Sequence, residues 1–385
     1  MDKRFNNVIC YLVMFLFSLV LTLISPFFSD IANSFHMNVT DAGFLFSVNN
    51  LGFIIFIFIA GFLVERYGKK RMISASLLGL AASLILFAKA DNFTAGCVFY
   101  FIAGGFNGIL LSQVNALVAE LNPVNTHYYI NKASVFSGIG PLFGPILTLI
   151  MLYNGFSWRT CFMLVGVLSL LLFLGFCFIK PESKSPAESI DMSGTVRLLA
   201  DRRFILVCIC IMLYSGSEVS GWGWLSEFLE TSLNYSYVYQ CILLALFWLA
   251  MIISRIVCSR LSLRIDILRL LLVLSVSSAA VVCFSGFFTN RITVWLAVPA
   301  MGLSYSNQWS LLISYGQKRL QTAKGSGYAV MVGCDGIGIA LIPYLMGLLS
   351  QFGGIRMGMG FPSVLFLFIA GFALTELIRK KKQAN

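Results

Sequence analysis

Gly61-Phe62-Leu63-Val64-Glu65-Arg66-Tyr67-Gly68-Lys69-Lys70-Arg71 sets one carboxylate, four cations and two glycines between two long apolar runs. Two membrane helices that follow each other closely need a short polar turn, and this one is short, charged and hinged. Gly61 lets the preceding helix pack closely on a neighbour, and Gly68 permits a tight turn that a residue with a Cβ enters only with strain. Glu65 and Arg66 can form charge-assisted hydrogen bonds with each other, with nearby loops or with a helix terminus. Gly61, Glu65, Arg66 and Gly68 therefore suit a gating latch between two membrane helices that slide while their ends stay held. Lys69, Lys70 and Arg71 are expected to fix topology and meet lipid headgroups.

The composition points the same way. Hydrophobic residues are 58% of the 385 and charged residues 11%, against roughly 45–50% and about 25% in soluble domains. A soluble chain of this length has too little interior to hide that much apolar surface. Runs of about 20 apolar residues, enough to cross a ~30 Å hydrocarbon core, read as spans at 7–29, 42–64, 72–89, 94–118, 132–153 and 158–179. After a polar break they resume at 204–228, 236–257, 269–288, 292–314, 326–349 and 357–378. The expected fold is all-α: a polytopic membrane protein with twelve transmembrane helices in two pseudo-symmetric six-helix bundles.

Of the 27 Lys and Arg, all but Lys89, Arg159, Arg291 and Arg356 fall at the N-terminus, in the even-numbered connections or in the C-terminal tail. This positive-inside bias expects both termini in the cytoplasm of a bacterial inner membrane. The net charge of +11 is then topology, and no nucleic-acid partner is expected. Lys3 and Arg4 precede an apolar run longer than a signal-peptide core, with no small-residue cleavage site behind it, so a retained first helix is expected. The ten cysteines fall almost wholly inside spans with no C-x-x-C, and His36 and His127 lie in loops on opposite sides. No metal, disulfide framework or cofactor is expected.

Lys180-Pro181-Glu182-Ser183-Lys184-Ser185-Pro186-Ala187-Glu188 is the one long polar stretch. Its Pro, Ser and mixed charge read as a linker, with a short surface helix expected at Thr195–Arg203. The organisation is an N-terminal bundle at 1–179, a cytoplasmic linker at 180–203, and a C-terminal bundle with its tail at 204–385. Arg255–Arg269 stands between the second and third spans of the second half, as Glu65–Arg71 does in the first. Such a duplication implies a pseudo-two-fold axis along the membrane normal.

Gly61-x-Leu63-x-Glu65-Arg66-x-Gly68-Lys69-Lys70-Arg71 resembles the loop 2–3 signature of the major facilitator superfamily, with Glu65 in place of the usual aspartate. The span count, the central linker and the weaker second copy extend the resemblance over nearly the whole chain. Asn115–Pro123, Gly138–Pro145 and Tyr214–Glu218 followed by Gly221-Trp222-Gly223-Trp224 resemble the fucose-permease-like sugar-symporter branch. The resemblance implies alternating access in a single chain. In that branch, carboxylates on the first and fourth helices are associated with proton coupling. Here those helices offer only Asp30 and Glu120, at their ends, so coupling groups are sought elsewhere.

Ionisable groups at membrane depth are costly and default to function. Asp335 lies about nine residues into the eleventh span, roughly 14 Å at ~1.5 Å per residue. Glu218 lies further along the seventh, in its outer half. No Lys or Arg occurs in the central part of any span to pair with either. Glu218, Asp335 or both are expected to carry a coupling proton; the bland alternative is a protonated acid hydrogen-bonded to a neighbouring helix. The absence of a deep cation clamp favours neutral, zwitterionic or cationic solutes over strong anions.

Asn107, Tyr214, Glu218, Trp222, Ser304, Asn307, Gln308 and Trp309 are the expected solute contacts, because amides and aromatics together suit hydrogen bonding plus stacking. Ser18, Thr22, Ser25 and Ser29 form a stripe whose simpler reading is interhelical hydrogen bonding. Gly104, Gly105 and Gly108 are expected to allow close helix approach. Gly138, Gly140-Pro141 and Gly144-Pro145 are expected to bend the fifth helix and break its backbone bonding. The function expected is a secondary transporter for a small polar solute, sugar-like first, acting as a monomer with protons and the bilayer as its other partners. Proton-antiport export of drugs or siderophore-like compounds is the alternative within transport, and a non-transporting receptor or scaffold the alternative outside it. No nucleophile–base pair, phosphate-cradling loop or metal constellation supports an enzyme.

Overall fold

The computed structural model describes residues 3–122, 126–179, 201–262, 264–285, 291–319 and 324–384. Of Gly61, Phe62 and Glu65 only the backbone is described; of the expected linker at 180–203 and its surface helix at Thr195–Arg203, residues 180–200 fall outside the described residues, and Arg202 and Arg203 already belong to the helix Arg202–Gly223. Described residues outside loops are helical, with no strand among them. The chain divides into two compact units, Met1–Ala187 and Glu188–Asn385.

The first unit contains α1 (Lys3–Thr22), a 3-10 turn at Ser25–Phe27, α2 (Phe28–Ser34), α3 (Val39–Tyr67), α4 (Lys69–Ala88), α5 (Phe93–Leu121), α6 (Thr126–Tyr153) and α7 (Trp158–Cys177). Pro26 lacks an amide donor, and the first span changes from α1 to a tighter turn around it. Asn38 and Asp41 close a capping box at the start of α3, and Asn92 accepts from the Ala95 amide to start α5. α6 continues through Pro141 and Pro145, each of which lacks the amide donor for a backbone bond within it.

The second unit contains α8 (Arg202–Gly223), α9 (Leu225–Leu233), α10 (Tyr237–Leu261), α11 (Ile267–Ser285), α12 (Arg291–Tyr305), α13 (Gln308–Arg319), α14 (Lys324–Gly353), α15 (Ile355–Gly360) and α16 (Pro362–Ala384). Eleven helical runs among the described residues are long and apolar enough to cross a membrane. The tenth expected span, 292–314, is missing from them because it is interrupted: α12 stops at Tyr305 and α13 begins at Gln308.

Both units pair their helices by one rule. In the first, α1 packs on α6, α3 on α5 and α4 on α7; in the second, α8 packs on α14, α10 on α12 and α11 on α16. Numbered by span within each half, these are first with fifth, second with fourth and third with sixth. The duplication that the sequence showed faintly at Arg255–Arg269 is thus repeated in the packing. Glycine makes the closest approaches possible. A Cβ on Gly104 of α5 would lie 2.0 Å from the Asn49 carbonyl oxygen of α3, and one on Gly338 of α14 1.9 Å from that of Met212 on α8. With little hydrophobic force between helices in lipid, such contacts supply the packing.

Candidate functional site

The break between α12 and α13 organises the second unit's polar groups. Asn307 holds φ +65°, a left-handed conformation that Asn tolerates better than most residues with a side chain. A helix end leaves carbonyls without amide partners, and in an apolar setting each needs another donor. Three are provided by side chains. Leu303 O accepts from Ser254 Oγ at 2.7 Å, Ser304 O from Gln308 Nε2 at 3.0 Å, and Tyr305 O from Tyr214 Oη at 2.8 Å. Gln308 is fully buried, and its amide also meets Ser275 and Ser278 of α11 at 2.9 Å each. Asn307 Nδ2 donates to Ser254 O at 3.3 Å.

This interruption aims α13 at Asp335. Trp309 Nε1 donates to Asp335 Oδ1 at 2.9 Å, and Ser215 Oγ of α8 donates to the same oxygen. Two donors converging on one oxygen suit a carboxylate, which only accepts.

Glu218 departs from expectation. The sequence left it without a cation, but Arg255 Nη2 of α10 stands 3.9 Å from its Oε1. The positive-inside pattern assigns Arg255 to the eighth connection. Ile256-Val257-Cys258 continues the apolar run beyond it, and α10 reaches Leu261, so the guanidinium starts more than a turn inside the helix. That continuation was the signal available in the sequence. The Tyr214 hydroxyl lies beside the Glu218 carboxyl, and Tyr214 sits in the field of Glu218, Arg255 and Asp335 together. One cluster therefore holds two carboxyls and an arginine.

Aromatic groups border it. Tyr214, Trp222 and Ser304 are buried, while Asn307, Trp309, Glu218 and Asp335 keep part of their surface open. Trp222 packs on Trp248, ring centres 5.8 Å apart, and Tyr305 packs on Phe366 at 4.9 Å. Tyr305 and Trp248 were not expected at the site. Their Oη and Nε1 are buried donors without a hydrogen-bond partner among the described residues. Ser304 Oγ donates back to Met301 O and keeps only its acceptor capacity, while both ends of the Gln308 amide are engaged by the helix break and α11.

Asn107 belongs to the first unit. It is buried on α5, donates to Phe17 O of α1 at 3.0 Å and leaves its Oδ1 unpartnered among the described residues. Ser18 and Thr22 bond back to carbonyls of their own helix.

The Gly61–Arg71 loop forms a single-residue hinge: Gly68, at φ +78°, ends α3 and begins α4. Arg66 is exposed, its guanidinium 5.4 Å from the centre of the Tyr67 ring. The side chain of Glu65 falls outside the described ones. Lys69 and Lys70 also meet protein groups. Lys69 Nζ forms an ion pair with Glu120 at the end of α5, and Lys70 Nζ donates to Cys177 O at the end of α7, at 3.1 Å. Asn7 and Asn122 exchange amide hydrogen bonds of 3.2 and 2.7 Å beside them. The same end of the first unit is thus tied across α1, α4, α5 and α7.

A family model described as Major Facilitator Superfamily matches residues 10–334. A TsgA homolog from Buchnera aphidicola subsp. Baizongia pistaciae is 23% identical over 82% of this chain and 81% of its own. The glucose/galactose transporter of Brucella abortus is 23% identical over 94% and 92%. The crystal structure of the E. coli fucose:proton symporter FucP superposes with a TM-score of 0.65 at 21% identity, over 97% of this chain and 99% of the other. That likeness carries the fold.

Proposed function

The chain belongs to the Major Facilitator Superfamily, as a multi-pass membrane transporter and not an enzyme, and from that premise we propose that it couples protons to the movement of a small, sugar-like polar solute. Alternating access is the mechanism of the proposal, carried out by a single chain in a bacterial inner membrane with both termini in the cytoplasm. The basic bias of the N-terminus, even-numbered connections and tail supports that orientation.

One observation carries the solute class. The buried Tyr305 hydroxyl and Trp248 indole N–H have no partner among the described residues. Buried donors are normally satisfied, and an orphan costs about 1–3 kcal/mol. A polyhydroxylated solute, or water held in its place, supplies acceptors for both, and the bordering aromatic rings suit the apolar face of a sugar. The names of the glucose/galactose relative and the fucose:proton neighbour agree with that class.

Proton coupling rests on the charge count of the cluster. Glu218 and Asp335 are two carboxyls, and Arg255 is the cation beside Glu218. The remaining negative charge is a place to hold a proton at membrane depth. Asp335, fixed by Ser215 and Trp309, and Glu218, opposite Arg255, are the proposed carriers. Counterflow in proteoliposomes over a panel of hexoses, deoxyhexoses and uronates tests the class. Exchange of at least one hexose is expected; exchange confined to apolar cations would replace the sugar reading with drug export, and no exchange at all would favour a receptor.

A further inference from the structure

We propose that Cys208 of α8 and Cys334 of α14 form a dithiol site for a thiophilic metalloid or metal centre, which on binding staples the two helices together beside Asp335. Along the chain these cysteines are far apart, and the nearest sequence neighbour of Cys208, Cys210, sits two residues away on another helix face. Helix packing supplies the partner that spacing could not. α8 and α14 lie in a register that repeats every turn. A Cβ on Gly338 would meet Met212 O at 1.9 Å, and one on Gly216 would meet Ile342 Cγ1 at 2.2 Å. Each pair is separated by four residues on both helices, and one turn before Met212 and Gly338 come Cys208 and Cys334.

At that position the two thiol side chains face each other across the seam, near enough to interact. Both cysteines are free, with Cys208 buried and Cys334 partly open to the surface. Asp335 follows Cys334 directly and is held by Ser215 of α8. Two thiols facing each other across this close seam thus give a two-donor bite, and soft thiophilic centres select thiolate ligands. With a trivalent arsenical oxide the step balances without an oxidant: two As–S bonds form, the As–O bond breaks, and the oxygen leaves as water with both thiol protons.

The test uses the full chain in detergent with phenylarsine oxide, read by intact mass after separate washes with a monothiol and with 2,3-dimercaptopropanol. The expected result is a monothiol-resistant adduct, removed by the dithiol, lost in Cys208→Ser and in Cys334→Ser, and kept in Cys210→Ser. Cys208→Ala and Cys334→Ala replace any serine variant that does not elute as a single species. Absence of the adduct from the unmodified chain, or its survival in the Cys334 variants, would overturn the proposal. The readout does not depend on transport, so failure here and failure of the transport reading are separable.

Discussion

Trp309 of α13 donates its indole N–H to Oδ1 of Asp335 on α14 at 2.9 Å, two residues after the left-handed Asn307 that separates α12 from α13. The break and the carboxylate are therefore one device: the direction in which α13 leaves Asn307 decides whether Trp309 reaches Asp335. The first prediction concerns that backbone. Asn307→Gly should retain the conformation, whereas Asn307→Val should cost roughly 1–3 kcal/mol, because a β-branched residue resists positive φ. Thermal unfolding in detergent measures the difference, and equal melting of the two variants would refute a built left-handed position.

Gln308 joins both sides of the break to α11. Gln308→Leu fills its space but strands the Ser304 carbonyl and removes the amide from Ser275 and Ser278. A loss of about 1–3 kcal/mol is expected from the unsatisfied groups. Counterflow rate should fall with stability and not independently of it, since this amide has no polar atom left for solute.

Glu218 and Arg255, 3.9 Å apart and partly open to solvent, should be coupled modestly. A double-mutant cycle on Glu218→Gln and Arg255→Met should give a coupling of about 1 kcal/mol or less in unfolding, as for partly exposed pairs. A coupling of zero would mean that the two charges do not meet in the membrane.

Outside the membrane-spanning helices, partial burial of Asp266 is outweighed by Lys380 and the amides of Leu268 and Arg269, which hold its carboxyl below the usual range. A depressed folded value gives stability that is present above the unfolded pKa of about 3.9 and is lost as pH falls through the folded value. Asp266→Asn should therefore be less stable than the unmodified chain at pH 7, by about 1 kcal/mol or less. The difference should begin to shrink below about pH 4 and be gone once pH is below the depressed folded value. Asp266→Ala should lose about 1 kcal/mol more, because Asp266 Oδ1 also accepts from the Leu268 amide at 3.0 Å to start α11. Unfolding followed at both pH values checks both statements.

The fold was legible because membrane burial is decided by long apolar runs and by where Lys and Arg stand, and both are properties of the chain read locally. Gly68 could be read as the hinge of Gly61–Arg71 for the same reason: a tight turn between two helices leaves few residue types able to make it. The break in span ten was hidden. Residues 292–314 read as one apolar stretch, and what stabilises the gap comes from Tyr214, Ser254, Ser275 and Ser278, distant in sequence and assembled only by packing. The Arg255–Glu218 pair was hidden for a related reason: Arg255 falls at the end of the expected span 236–257, and nothing local shows that its guanidinium meets Glu218. Lys69 and Lys70 were given to lipid because Glu120 and the Cys177 carbonyl approach them only once α5 and α7 close on α4.

The central claim is that Glu218 and Asp335 carry the proton of a coupled transporter. Proteoliposomes loaded with the solute found by counterflow, or facing it across an imposed pH gradient, separate exchange from accumulation. The account predicts that the unmodified chain does both, and that Glu218→Gln or Asp335→Asn, or both, retain counterflow while losing accumulation driven by the gradient. Accumulation undiminished in both variants would contradict it.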